Sequence, residues 1–134
     1  MVKMSVVYTG KKHCELKHEP SGSKIETDAP KDNAGLGERF SPTDLVGAAL
    51  ASCILTTMAI VAERDGLSIE GARAEVTKEM NVSPRRIASL PVQVTLSAKI
   101  SADDRKKLEN AANHCPVHKS LHPDVQAPVS FIYE

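Results

Sequence analysis

The sequence predicts an α+β fold, with strands on either side of a central helix, on three observations. The stretch from Leu45 to Ala62 runs for eighteen residues without a charge. It is flanked by segments whose apolar residues alternate with a period of two, as half-buried strands require. Nearer the C-terminus, Leu108, Ala111, Ala112 and Cys115 fall at the i, i+3, i+4, i+7 spacing of one helical face.

Taken in order, residues 2–9 and 12–18 read as two short strands joined at Gly10-Lys11, with a third near Lys24–Thr27. In the second of these, Cys14 and Leu16 share the apolar side, opposite His13, Glu15 and Lys17. The loop "DAPKDNAGLGERF" leads into the long helix. Its start is signed by Ser41 as N-cap, Pro42 at the first helical position and Asp44 three residues after the cap; Gly66 ends it.

Two strands follow. In "ARAEVTKEM" Ala72, Ala74, Val76 and Met80 share a face. In "LPVQVTLSAKI" Leu90, Val92, Val94, Leu96, Ala98 and Ile100 point one way. Both read as antiparallel strands with one wet face, and "VSPRR" between them as a turn or hairpin tip. A second helix starts at Ser101, with Asp104 as its capping acid; Pro116 ends or kinks it, and "VSFIY" is a closing strand. At 134 residues, without repeats or an internal linker, the chain reads as a single domain spanning 1–134.

Composition excludes several functions. Seventeen basic residues balance seventeen acidic ones, and two Phe, two Tyr and no Trp leave few stacking platforms, so nucleic acid is not an expected partner. The N-terminus reads as a strand rather than a signal peptide, and three cysteines do not make a disulfide framework, so a cytoplasmic location with free or redox-active thiols is expected. The uncharged helix reaches the length of a membrane span. It nevertheless contains Gly47, Ser52, Thr56, Thr57 and five alanines, with Asp44 and Glu63 at its ends and no aromatic belt or basic flank. We read it as a core helix, not a membrane anchor. Being apolar all round, it needs cover on every side, which favours a homodimer.

Cys53 lies about three turns into that helix, too far from its N-terminus for the dipole to favour a thiolate, so any activation requires a cation from elsewhere. Cys115 precedes Pro116, so "PVHKSL" can begin a new turn with Cys115 as its N-cap; it also completes the Leu108 stripe as a core residue, and both readings stand. Cys14 reads as packing. Cys115 with His114, His118 and His122 could make a zinc site, but there is no Cys-x-x-Cys knuckle and Pro116 disrupts any shared face, so histidines near a helix end are the preferred reading.

Together, "SPTDLVGAALASC" and "CPVHKSL" resemble the two cysteine motifs of the OsmC/Ohr family, the osmotically inducible and organic hydroperoxide resistance proteins. Pro42, Leu45, Ala48 and Cys53 match the first, and Cys115, Pro116 and Val117 the second. The resemblance implies an OsmC-like α+β fold, antiparallel sheets around central helices in an intertwined homodimer with its sites at the subunit interface. It also implies a peroxidase for organic hydroperoxides, with Cys53 as peroxidatic thiol, Cys115 as resolving thiol, a dithiol reductant as partner, and no metal or organic cofactor.

In the family an arginine holds the thiolate and pairs with a glutamate directly after the helix-starting proline. That position is Thr43 here, which becomes a candidate substrate-binding residue. Asp44 is no substitute, because nine residues at 100° each put it on the face opposite Cys53. Arg39 is the candidate arginine, with Glu38 as a possible partner, and Arg85 and Arg86 are alternatives that could reach across a dimer. The departure at Thr43 leaves open a second function, a non-enzymatic redox sensor or apolar-ligand-binding protein on the same scaffold.

Overall fold

The computed structural model describes all residues from 1 to 134 and divides them into two compact units, Met1–Val46 and Gly47–Glu134. In the first unit, strands β1 (Met4–Gly10), β2 (His13–His18) and β3 (Lys24–Asp28) form an antiparallel sheet in the order β1-β2-β3. The β1–β2 link passes through Lys11 and Lys12 at φ 55° and 59°, the paired left-handed geometry of a tight hairpin. Val6, Leu16 and Ile25 stand side by side, as do Tyr8, Cys14 and Thr27, so one face is apolar. The other carries His13, Glu15 and Lys17 against Asp28, Glu26 and Lys24. The apolar face is open: Val6, Tyr8 and Ile25 are 59%, 65% and 50% exposed.

Helix α1 (Pro42–Arg64) begins with a reciprocal capping box. The Asp44 N–H donates to Ser41 Oγ at 3.1 Å, and the Ser41 N–H donates to Asp44 Oδ2 at 2.9 Å. It ends in a Schellman motif: Leu67 N–H bonds Ala62 O at 2.9 Å and Gly66 N–H bonds Glu63 O at 3.0 Å, with Gly66 at φ +70°. Both ends therefore fall where the sequence signs them.

In the second unit, Gly47, Leu50, Ala51, Ile54, Met58 and Ala62 form the buried face of α1. Gly47 marks a close approach, since a Cβ there would lie 3.3 Å from Leu90 Cδ2 and 3.7 Å from Val76 Cγ2. A sheet of order β4-β7-β8 has β7 (Val92–Leu96) at its centre, with Val92, Val94 and Leu96 buried. Strand β4 (Arg73–Val76) pairs with it antiparallel, and β8 (Val129–Tyr133) parallel. The parallel pairing follows from the connection, because the chain returns through α2 (Ala102–Ala112) and α3 (Pro116–Ser120) between β7 and β8. A separate hairpin pairs β5 (Glu79–Asn81) with β6 (Arg86–Ser89), so Arg86 opens a strand rather than belonging to the turn.

Two segments differ from the sequence reading. The stretch 72–80 is two strands in two sheets. Thr77 N–H still reaches Pro91 O at 3.1 Å, but Pro91 has no N–H to return, so the ladder stops and the chain leaves to form β5. In the stretch 90–100 the strand ends at Leu96, with one further bond from the Ala98 N–H to Glu134 O at 2.8 Å. Ala98 is exposed, while a turn closed by Ile100 N–H to Ser97 O at 3.3 Å brings Ile100 back into the core.

Helix α2 is capped by Ser101, which accepts the Asp104 N–H, and it buries Leu108, Ala111 and Ala112. Helix α1 has a mean hydropathy of 2.2 over its most apolar window and is long enough to span a membrane, yet one third of that window, 33%, is buried within a single chain. Ala49, Ser52, Thr56 and Ile60 form an exposed stripe of mostly small residues along it.

Two stability changes follow. Leu50→Ala, at a fully buried site, is expected to cost ~2–5 kcal/mol in denaturant unfolding. Gly66→Ala, forced into the left-handed region, is expected to cost ~1–2 kcal/mol in the same assay.

Candidate functional site

Three residues after α2 ends, the backbone turns extended at Cys115 (φ −70°, ψ 143°), and Pro116 starts α3. Cys115 is thereby the N-cap of α3, and its Sγ accepts the His118 N–H at 3.2 Å. The thiol is also fully buried with Leu108 and Ala112, so capping and core packing are both realised by one side chain. Burial pushes the Cys115 thiol up from its ordinary value; the His118 N–H pulls it down, and the Cys53 thiol beside it pushes it up again. The His118 ring is held in turn, with Nε2 donating to Ala127 O at 3.1 Å.

Cys53 projects from the middle of α1 and is half-buried. Its Sγ lies 3.9 Å from Thr57 Oγ1, one helical turn on, and it neighbours the Cys115 thiol closely enough to perturb its titration. Both sulfurs are free thiols. The two cysteines are sixty-two residues apart in sequence (115 − 53), and the fold brings their side chains together.

Arg39 belongs to the other unit, where its partner is not the Glu38 carboxylate considered from sequence. Nε donates to Glu26 Oε2 at 3.3 Å, and Nη1 donates to the Glu38 main-chain carbonyl at 3.1 Å. Glu26 also meets His13 Nε2 at 3.1 Å, and His13 Nδ1 lies 2.6 Å from Asp28 Oδ1. Asp28 is 2% exposed. This His13–Asp28–Glu26 cluster escaped sequence reasoning. Its signal was the polar period-two face of "HCELK" opposite "KIETD", which becomes a cluster once the hairpin register sets His13 across from Asp28.

Thr43 lies at the start of α1, its Oγ1 3.2 Å from Ser41 Oγ. Arg86 is engaged with Asp124 Oδ2 at 3.4 Å, and Arg85 is exposed at the tip of the β5–β6 hairpin. Cys14 is half-buried on the apolar side of the first sheet. No three His, Cys, Asp or Glu side chains converge as metal ligands would. The imidazoles near Cys115 are turned elsewhere, His114 Nδ1 donating to Asn110 O at 2.7 Å and His122 accepting from Asp124 N–H at 3.1 Å.

An α+β chain that brings a thiol on a long Pro-started helix against a second thiol preceding Pro-Val defines a class of paired-cysteine proteins. Residues 35–129 match the family model described as OsmC-like protein, and the chain belongs to that family. It is similar to a crystal structure of a Psychrobacter arcticus 273-4 protein attributed to the osmotic stress induced and detoxification response, at 41% identity and TM-score 0.94, covering 98% of this chain and 96% of that one. The fold is also that of the organic hydroperoxide resistance protein OhrB of Bacillus subtilis, at 18% identity and TM-score 0.71, with 98% of each chain covered. The Bacillus subtilis (strain 168) protein YmaD, itself uncharacterized, is 28% identical over 116 residues, which span 79% of this chain and 77% of YmaD. Helix α1 is thus the long helix of an OsmC-like fold, and no membrane-protein class is indicated.

The His13 cluster generates a pH prediction. The Asp28 hydrogen bond raises the His13 pKa from its ordinary 6.5, so the stability it contributes is fully present below 6.5 and is lost as pH rises through the raised value. The His13 hydrogen bonds lower Asp28 and Glu26, whose contributions are present above their ordinary values of 3.8 and 4.5 and are lost as pH falls through the depressed ones. The melting-temperature gap between wild type and His13→Gln should therefore be widest at about pH 5 to 6 and shrink on the alkaline side. A gap that widens steadily above neutral pH would contradict the assignment.

Proposed function

We propose that this protein is a thiol-dependent peroxidase that reduces organic hydroperoxides. The observation that carries the reading is the contact between the Cys53 and Cys115 thiols, one half-buried and the other fully buried. In the proposed cycle the Cys53 thiolate attacks the terminal oxygen of ROOH. The O–O bond breaks, ROH leaves with a proton, and Cys53 becomes a sulfenic acid. Cys115 then attacks the Cys53 sulfur, expelling water and forming a Cys53–Cys115 disulfide. A dithiol reductant opens it by two successive exchanges, returning both thiols and leaving as a disulfide itself. No metal or organic cofactor enters the cycle.

Arg39 is the cation we assign to the thiolate, on the strength of its anchored guanidinium and its place just before the Pro-started helix. Thr43 is assigned to substrate. An alkyl or lipid hydroperoxide suits the site better than hydrogen peroxide, because Cys53 is carried by a helix of apolar and small residues. We further propose a homodimer located in the cytoplasm. Support comes from the exposed stripe on α1 and the open apolar face of the first sheet, which a second copy would cover.

A second reading, a redox sensor without turnover, is favoured by one observation. Burial raises the Cys115 thiol, which disfavours the thiolate needed for rapid resolution.

Steady-state assays with a dithiol reductant separate the two. Wild type should consume cumene hydroperoxide over many turnovers and faster than hydrogen peroxide. Cys53→Ser should abolish consumption, and Cys115→Ser should stop after about one equivalent, with Cys53 held as a sulfenic acid. A single slow oxidation without turnover in wild type would favour the sensor. Unchanged turnover in Cys53→Ser would end the peroxidase reading.

A further inference from the structure

We propose that Thr57 is a further catalytic residue, its hydroxyl donating a hydrogen bond to the Cys53 thiolate that meets the peroxide. The inference rests on the reading of Cys53 as the peroxidatic thiol, and every group in it lies within the Gly47–Glu134 unit.

Cys53 and Thr57 stand one turn apart on the same face of α1, where side chains at i and i+4 lie one above the other. Threonine in a helix ordinarily turns its hydroxyl onto the carbonyl three or four residues back. Thr56 does so, donating to Ser52 O at 2.8 Å and to Cys53 O at 3.1 Å. Thr57 does not: its Oγ1 meets Cys53 Sγ at 3.9 Å and no carbonyl. While Cys53 is a thiol, either group can donate. A thiolate has no proton to give, so ionisation fixes the direction and the Thr57 O–H becomes the donor. The separation is long, as catalytic hydrogen bonds often are before substrate binds, and it shortens as charge gathers on the sulfur.

Position makes the bond count. Cys53 lies well beyond the first turn of α1, where the helix dipole no longer helps, and it is half-buried. A fixed donor there replaces water that a thiolate would otherwise need. Thr57 also lines a groove of about 360 Å³ with Val61 of α1 and Lys107, Asn110, Ala111 and His114 of α2. The titratable groups of that groove are engaged elsewhere, Lys107 Nζ with Asp65 Oδ2 at 3.1 Å and His114 Nδ1 with Asn110 O at 2.7 Å. On the sulfur's other side stands the Cys115 thiol, whose proton must leave when it resolves the sulfenic acid. Thr57 keeps its proton throughout the proposed cycle.

A donated hydrogen bond raises the thiolate fraction at neutral pH about tenfold, and lowers the nucleophilicity of that thiolate about threefold. The two effects oppose each other, so their balance reverses with pH, which a merely structural role would not produce. The test follows Cys53 alkylation by iodoacetamide in the reduced full-length protein, read by peptide mapping. Relative to wild type, Thr57→Val should react about threefold more slowly at about pH 7 and about threefold faster at about pH 10. Thr57→Ser, which keeps the hydroxyl, and Thr56→Val should match wild type at both. With cumene hydroperoxide at neutral pH, kcat/KM should fall about threefold in Thr57→Val and recover in Thr57→Ser. Thr57→Val rates equal to wild type, or reduced by the same factor at both pH values, would overturn the role even if wild type turns over hydroperoxide. A wild type that consumes no hydroperoxide while the alkylation rates still cross would instead remove the peroxidase reading, and the catalytic role with it.

Discussion

The proposed chemistry depends on one juxtaposition, of a thiol at the middle of a long helix with a thiol at the start of a short one. Cys115 can occupy its place because a cap and a core residue have opposite needs that a thiol reconciles. Its sulfur accepts a backbone N–H at 3.2 Å, yet it is apolar enough to be fully buried. Pro116 makes that arrangement local, since its ring presets the first turn of α3 and its missing N–H demands no partner. Burial also orders the proposed cycle. The half-buried thiol is the one a substrate can reach, and the buried one can act only once its neighbour has been oxidised.

A second constraint lies in the N-terminal unit, whose sheet presents two unlike faces. The apolar one is left open by a single chain, and the long helix in turn buries only a third of its most apolar window. Both faces are the ones that the proposed second copy would cover. The polar face assembles a histidine between two carboxylates and leaves the outer one bonded to Arg39. With His13 protonated the cluster holds two groups of each sign, so the network avoids the cost of an isolated buried carboxylate at Asp28.

Local signals in the sequence were strong wherever a short segment decides its own conformation. The capping box at Ser41 and Asp44, the glycine stop at Gly66, the Ser101 cap and the N-cap role of Cys115 all depend on residues within a few positions of one another. Register and pairing are non-local, and there the sequence was less informative. Alternation alone could not show that Pro91 would divide the 72–80 stretch between two sheets, or that β8 would run parallel to β7. The same limit hid the partner of Arg39. Glu38 is its neighbour in sequence, but hairpin register brings Glu26 to it instead, with His13 and Asp28 alongside.

The most direct measurement is of the oxidised product itself. Reduced protein treated with one equivalent of cumene hydroperoxide, then quenched with an alkylating agent, would be analysed by intact mass and by peptide mapping without reductant. The expected result is the loss of two hydrogen atoms and a single cross-linked peptide joining Cys53 to Cys115, with Cys14 alkylated. Cys53 driven to a sulfinic acid while Cys115 stays alkylated, or a cross-link that runs through Cys14, would contradict it.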